Sequence, residues 1–342
     1  MQQRNYESLT SQVTSRDVDD LKSLYAQKKS QIVKQSIILL IVFSTLSPAL
    51  ILTTQIDVSS LVYILGWVGL ASIIAVIFGI LIINQQTKKW QQAVRLNRFA
   101  QANGLKFTPT ITNPVRDGMI FNIGRSRSAN NILTSTSFNP FEIANYTYIT
   151  GSGKNSRTYN YGYIMVQLDR NLPHMVLDSK ANNTNIFGIS FSDLPVNFDK
   201  DQKLSLEGDF DSHFTLYAPK DYEQDALYIF TPDLMQLFID DSLNFDAEII
   251  DNKLYIYSNK QFDLNDQVLF QRLFNVIDKV AAKVESQTDR YVDDRVGSAL
   301  NNVVAQPGRR LKISQPWVII IVVAFYAIYF AYTFLYPFLS IK

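Results

Sequence analysis

The 342-residue chain contains no cysteine. That excludes disulfides, thiolate-held zinc, iron–sulfur centres and thiol catalysis, and leaves the redox compartment open. Only two histidines, His174 and His213, are on hand for acid–base or metal work. The formal net charge is +1, so bulk nucleic-acid binding has no electrostatic support. Glycine-rich phosphate motifs are also missing. Gly151-Ser152-Gly153-Lys154 is the nearest approach, but a phosphate loop would need Gly where Tyr148 stands and Ser or Thr where Asn155 stands. A β-rich stretch, Arg157 to Val166, follows where a helix should begin. No nucleotide is expected, and the tetrapeptide reads as an ordinary hairpin loop.

Three long uncharged runs are present: Ser36 to Thr54, Ser59 to Thr87 and Trp317 to Ile341. A bilayer-crossing helix needs about 20 apolar residues, so each run is expected to be a transmembrane helix. A polar segment of about 35 residues before the first run is longer than a signal-peptide n-region. Lys22, Lys28, Lys29 and Lys34 precede span one, Lys88, Lys89, Arg95 and Arg98 follow span two, and Arg309, Arg310 and Lys312 precede span three. The positive-inside rule then predicts a multi-pass inner-membrane protein, with N-terminus and main domain cytoplasmic and C-terminus on the far side. The bilayer is therefore an expected partner. The stripe Ala71, Ala75, Gly79 suits helix–helix contact or an oligomer, and Tyr329, Tyr332 and Tyr336 suit an interfacial belt. The spans carry no Asp, Glu, Lys, Arg or His, so they read as anchors and not as a transport path.

The expected fold class is α+β: three transmembrane helices and a cytoplasmic domain of antiparallel sheet with segregated helices. Its divisions are an N-terminal helical segment (1–35), a transmembrane hairpin (36–87), the cytoplasmic domain (88–285), a polar connector (286–315) and the last span (316–342). Within the domain, a helix from Lys88 ends at Gly104 with Leu105 as its hydrophobic follower. Short strands follow, YGYIMVQL, HMVLDS, HFTLYAP and DALYIF among them. Thr231-Pro232-Asp233 opens a helix, Asp251-Asn252 is expected to turn a hairpin, and Asp266 caps a helix bearing Leu269, Leu273, Ile277, Val280 and Val284 on one face. Charge is polarised: residues 85–170 hold eleven Lys and Arg against three acids, while residues 190–270 hold five against seventeen.

Tyrosines flank the glycine loop. Tyr146 and Tyr148 alternate on one strand, and Tyr159, Tyr161 and Tyr163 on the next. With an even-numbered loop all five share a sheet face, opposite Ile143, Ile149, Ile164, Val166 and Leu168. Such a face is either a packed amphipathic layer or a recognition surface, and aromatics with polar tips suit a partner. Together with Lys154 and Arg157 at the tip, these tyrosines are the candidate partner-binding residues. The alternating Glu207, Asp209 and Asp211 with His213 fit a solvated edge better than a calcium loop. His174 and Asp178, four apart on a strand, would lie about 13 Å from each other, too far for an acid–base pair unless the strand bends. No catalytic residue, metal ligand or cofactor is assigned.

The stretches EGDFDSHFTLYAPKDYEQDALYIFTPDLMQLFIDD and EIIDNKLYIYSNKQFDL resemble the core of a bacterial family of uncharacterised membrane proteins, a domain of unknown function with two N-terminal spans and a cytoplasmic domain. The resemblance covers about a third of the chain, implies that topology and brings no activity. The third span departs from the family's pattern. The reading that follows is a membrane protein whose domain binds a protein or a membrane-proximal component. Its alternatives are a tethered hydrolase with an Asp/Glu/His site and a transport or secretion subunit.

Overall fold

A computed structural model describes residues 4–25, 58–135, 140–186, 189–206, 208–241, 245–296, 302–314, 323–331 and 333. In chain order the elements are α1 (Ser15–Tyr25), α2 (Val58–Ala102), β1 (Lys106–Thr112), β2 (Arg125–Thr134), β3 (Phe141–Thr150), β4 (Arg157–Ser179), β5 (Thr184–Ile186) and β6 (Ile189–Phe191). They continue with β7 (Lys203–Leu204), α3 (Phe210–His213), β8 (Phe214–Tyr217), α4 (Glu223–Ile229), α5 (Pro232–Asp241), β9 (Asp246–Ser258), α6 (Gln267–Val276) and, beyond a π-helical turn at Ile277–Ala281, α7 (Ala282–Thr288). Seven strands belong to one antiparallel sheet, and β5 and β6 form a separate pair. The α+β character is as expected. The membrane layout is not.

Among the described residues, no helix is long and apolar enough to cross a membrane. This overturns the three transmembrane helices and the inner-membrane placement built on them. A span needs about 20 consecutive apolar residues. On α2 the side chains of residues 58–65, 67, 68, 71 and 75 lie outside the described ones, and the helix runs on into Asn84, Gln85, Gln86, Lys88 and Lys89. Of the third expected span, residues 317–322, 332 and 334–341 lie outside the described residues. The first expected span, 36–54, lies outside the described residues, as do Tyr332 and Tyr336. The side chains of Ala71 and Ala75 are likewise outside them.

Two compact units share the chain. The first comprises residues 1–114, 126–147 and 261–274. In it Thr14 and Asp17 cap α1 reciprocally: Asp17 Oδ2 accepts the Thr14 N–H at 2.8 Å, and Thr14 Oγ1 accepts the Asp17 N–H at 3.3 Å. The cap is thus Thr14. Arg98 of α2 holds Asp17 at 2.7 Å and also donates to the Gln12 carbonyl, fastening the N-terminal segment along the helix. The end of α2 is the expected one. Gly104 takes φ +67°, and Leu105 N–H returns to the Ala100 carbonyl at 2.8 Å, closing a Schellman motif. Strand β1 pairs with β2 antiparallel, Phe107 opposite Leu133. Beneath lies an aromatic core in which Phe99 meets Phe270 edge-on at 5.1 Å and Phe274 at 5.8 Å.

Helix α6 starts as the sequence suggests, because Asp266 Oδ1 accepts the N–H groups of Val268 (2.8 Å) and Leu269 (3.2 Å). Replacing Asp266 by Ala is expected to lower stability by about 1 kcal/mol, read as a smaller urea midpoint at unchanged slope, with Asp266→Asn nearly neutral.

The second unit comprises residues 115–125, 148–260 and 275–342. Its spine is β4, a single strand of 23 residues. The sequence suggested two strands broken around Asn171-Leu172-Pro173. Strand β9 runs antiparallel along β4 from Ser258 opposite Gly162 to Ala247 opposite Leu177, with register shifts between Gln167 and Leu172 and between Leu172 and Met175. Pro173, which lacks an N–H, falls inside the second shift, where the ladder is already interrupted. Asp251 has φ +52° but does not reverse the chain, so the expected Asp251-Asn252 hairpin is replaced by one continuous strand, the extra residues of the register shifts lying on β4. At Val176 to Ser179 the other edge of β4 is taken by β8. The stretch DALYIF, expected as a strand, lies on α4, where Ala226, Ile229 and Phe230 are buried at helical spacing.

Candidate functional site

The hairpin joining β3 to β4 carries the residues the sequence singled out. Its connecting segment, 151–156, is even in length and includes a short 3-10 turn at Gly153–Asn155. Gly151 has φ +68°, and a Cβ there would stand 2.3 Å from the Asn155 carbonyl oxygen, so only glycine closes this tip. Arg125 donates to the Gly151 carbonyl at 3.1 Å. Residues 151–158 are all exposed, Lys154 and Arg157 included, and the Arg157 guanidinium lies 5.0 Å from the Tyr159 ring centre.

The tyrosines lie deeper. Tyr146, Tyr148, Tyr161 and Tyr163 are 0, 1, 6 and 0 % exposed, and Tyr159 is partly buried. Tyr148 stacks on Tyr159 at 5.0 Å and on Tyr161 at 6.0 Å, while Tyr163 meets Phe121 edge-on at 5.0 Å. Of the two uses open to this face, the geometry is that of a packed layer. Burial, then the Tyr148 and carboxylate neighbours, pushes the Tyr161 phenol above its usual range.

Those carboxylates belong to a group with no local signal along the chain. Asp178 at the end of β4, Asp193 beyond β6 and Asp246 at the start of β9 each bring an oxygen within 4.8 Å of the other two. The antiparallel run of β9 along β4 returns Asp246 to Asp178, and the β5–β6 excursion brings back Asp193. Ser179 N–H donates to Asp246 Oδ1 at 2.8 Å, and Asn259 Nδ2 donates to Asp193 Oδ2 at 2.9 Å. Burial pushes Asp178 up to about 6 and raises Asp193; it lifts Asp246 well above the carboxylate range, with the Asp193 charge adding to it. Three charged carboxylates this close repel strongly in a poorly solvated setting, so protons or a cation must share the site.

His174 does not pair with Asp178. Its Nδ1 accepts the Leu311 N–H at 2.9 Å, which places the ring proton on Nε2, donated to Glu248 Oε1 at 2.9 Å. Glu248 Oε2 accepts from Tyr257 OH (2.6 Å) and Met119 N–H (2.8 Å). Every position of this buried set is filled by protein, the signature of a structural histidine. Of the acids around α3, Asp211 is occupied locally, accepting Leu206 N–H at 3.1 Å and the Ser205 hydroxyl, and His213 stands 3.9 Å from exposed Asp209.

No family model matches the sequence, and no curated protein matches it. Among solved structures, the chain is similar over 56 % of its length to 92 % of the mycobacterial trehalose monomycolate transport factor A, TtfA, at 10 % identity and a TM-score of 0.36, a likeness too slight to carry an argument.

Proposed function

We propose that the protein acts by binding, engaging an acidic segment of a protein partner through the tip of the β3–β4 hairpin. The observation that carries this reading is the exposed run 151–158, which holds Lys154 and Arg157, has Arg125 bonded to its first residue, and includes no acid. The tip is braced from below: Gly151 fixes its closure and the Tyr148–Tyr159–Tyr161 stack anchors both strands. A pre-formed cationic projection loses little conformational entropy on binding, and opposite charge steers the encounter. The tyrosines thereby support the surface instead of forming it.

Site-specific photo-crosslinking in cells from a benzoylphenylalanine placed at Ser156 tests this. A discrete adduct is expected, reduced about tenfold by the double change Lys154→Glu/Arg157→Glu and weakened by added salt in extracts. Both changes lie on exposed side chains, so the thermal midpoint should stay within about 1 °C of the parent. Absence of any adduct, or an adduct indifferent to the charge reversal, overturns the reading.

A further inference from the structure

We infer that Asp178, Asp193 and Asp246 form a binding site for a hard divalent cation of the calcium, magnesium or manganese class. The first ground is spacing. Oxygens within 4.8 Å of one another fit around one ion, since calcium–oxygen bonds of about 2.3–2.6 Å put opposite ligands roughly 5 Å apart and adjacent ones closer.

The second ground is independent of the cluster's charge. Asp178 is 2 % exposed, yet its Oδ1 has no hydrogen-bond partner among the described residues, and neither has the buried Oδ1 of Asp193. A buried acceptor left unmade is costly and rare, and here two belong to one cluster. At Asp193 the donor that is present holds the opposite oxygen: Asn259 Nδ2 donates to Oδ2 and leaves Oδ1 without a partner. This is how an outer layer of hydrogen bonds orients metal ligands, fixing one oxygen and aiming the other.

A protein cation does not take the place of the ion. Lys180 directs its ammonium to the Asp211 carbonyl, and Lys203 affects Asp178 only through its field. The donor atoms are all carboxylate oxygens, with serine and asparagine side chains at the margin, and contain no imidazole or sulfur. Such a set favours hard ions over zinc or copper. The ion would also tie three separate segments, the end of β4, the return from β6 and the start of β9, and so act on stability. It would lie near the buried face of the hairpin, since Asp193 and Asp246 both act electrostatically on Tyr161.

Thermal unfolding of the full chain, stripped with EDTA and then freed of chelator, provides the test. Calcium, magnesium and manganese chlorides are titrated separately against potassium chloride of matched ionic strength. At least one divalent ion should raise the midpoint saturably, as ligand linkage requires. Asp178→Asn and Asp246→Asn should each weaken the half-saturating concentration tenfold or more, without a lower midpoint in the ion-free state, because each removes a repelling charge. Asp193→Asn, on the less buried member, decides the matter should either of the others fail to fold. If no divalent ion raises the midpoint beyond the potassium control, the site is a proton-sharing carboxyl cluster and the proposal is overturned. A rise retained in all three asparagine variants overturns it equally.

Discussion

Glu248→Ala is expected to cost about 4 kcal/mol of stability, a large fraction of what a domain of this size holds in reserve. The carboxylate is 1 % exposed and receives three donors: His174 Nε2–H, Tyr257 OH and Met119 N–H. Alanine strands all three in the interior, and each unpaired buried donor costs about 1–3 kcal/mol. Water cannot readily repair the loss, because Tyr257 is 0 % exposed. Glu248→Gln is gentler, about 2 kcal/mol: the amide keeps one acceptor oxygen but turns an NH2 group toward existing donors. Urea denaturation with tyrosine fluorescence reads both values. A further check is His174→Gln, which loses the Leu311 contact or the Glu248 contact but not both, and should fall between them. If Glu248→Ala changes the midpoint no more than a surface substitution, the network is not what holds His174.

This network also shows where sequence reading stops. His174 could be recognised as more structural than catalytic, but its partner stands 74 residues away and is placed there only by the pairing of β9 with β4. Features decided within one turn of chain were legible: the Asp266 cap, the Gly104–Leu105 helix end and the alternation of the hairpin tyrosines. What alternation leaves open is depth, and only the layers above a face decide whether Tyr148 is a contact surface or a filler. Asp251-Asn252 and Asn171-Leu172-Pro173 have turn-forming composition, yet both sit within long strands, because ladder bonds on the flanking residues outweigh the local preference and confine it to a bulge. The Asp178–Asp193–Asp246 cluster had no local signal at all. Its members come from three segments that only the strand pairing brings together. The hydropathy of Ser59 to Thr87 was read as a span in isolation, whereas α2 continues without a break into the polar helix that holds the N-terminal segment.

The second large effect concerns the segment expected to be a bare polar connector. Asp293 is 2 % exposed; its Oδ2 accepts Tyr222 OH at 2.7 Å and Ala305 N–H at 2.8 Å, and its Oδ1 accepts Arg295 N–H at 3.0 Å and Arg295 Nη1 at 3.1 Å. The Arg295 guanidinium in turn lies 3.9 Å from the Tyr222 ring centre and pairs with Asp225 at 3.0 Å. Arg295 and Ala305 are thus fastened around one carboxylate, and Asp293→Ala should cost about 3 kcal/mol by stranding a phenol and a backbone N–H. Gly308→Ala tests the same knot sterically. Its Cβ would stand 2.4 Å from Tyr222 Cζ and 2.7 Å from Val304 Cγ1, an overpacking that costs about 1–3 kcal/mol. The charge gives a further reading. Burial alone would raise the Asp293 carboxyl, but the hydrogen bonds from Ala305, Tyr222 and Arg295 outweigh it and hold the group below its ordinary value. The unfolded chain therefore binds the proton more readily than the folded one, so this contribution is complete above about pH 4 and disappears as pH falls through the folded-state value. Asp293→Asn, which keeps the shape and loses the titration, should flatten the acid limb of stability against pH while lowering the plateau near neutrality. An acid limb identical in both proteins would show that the carboxylate is not held ionised by these donors.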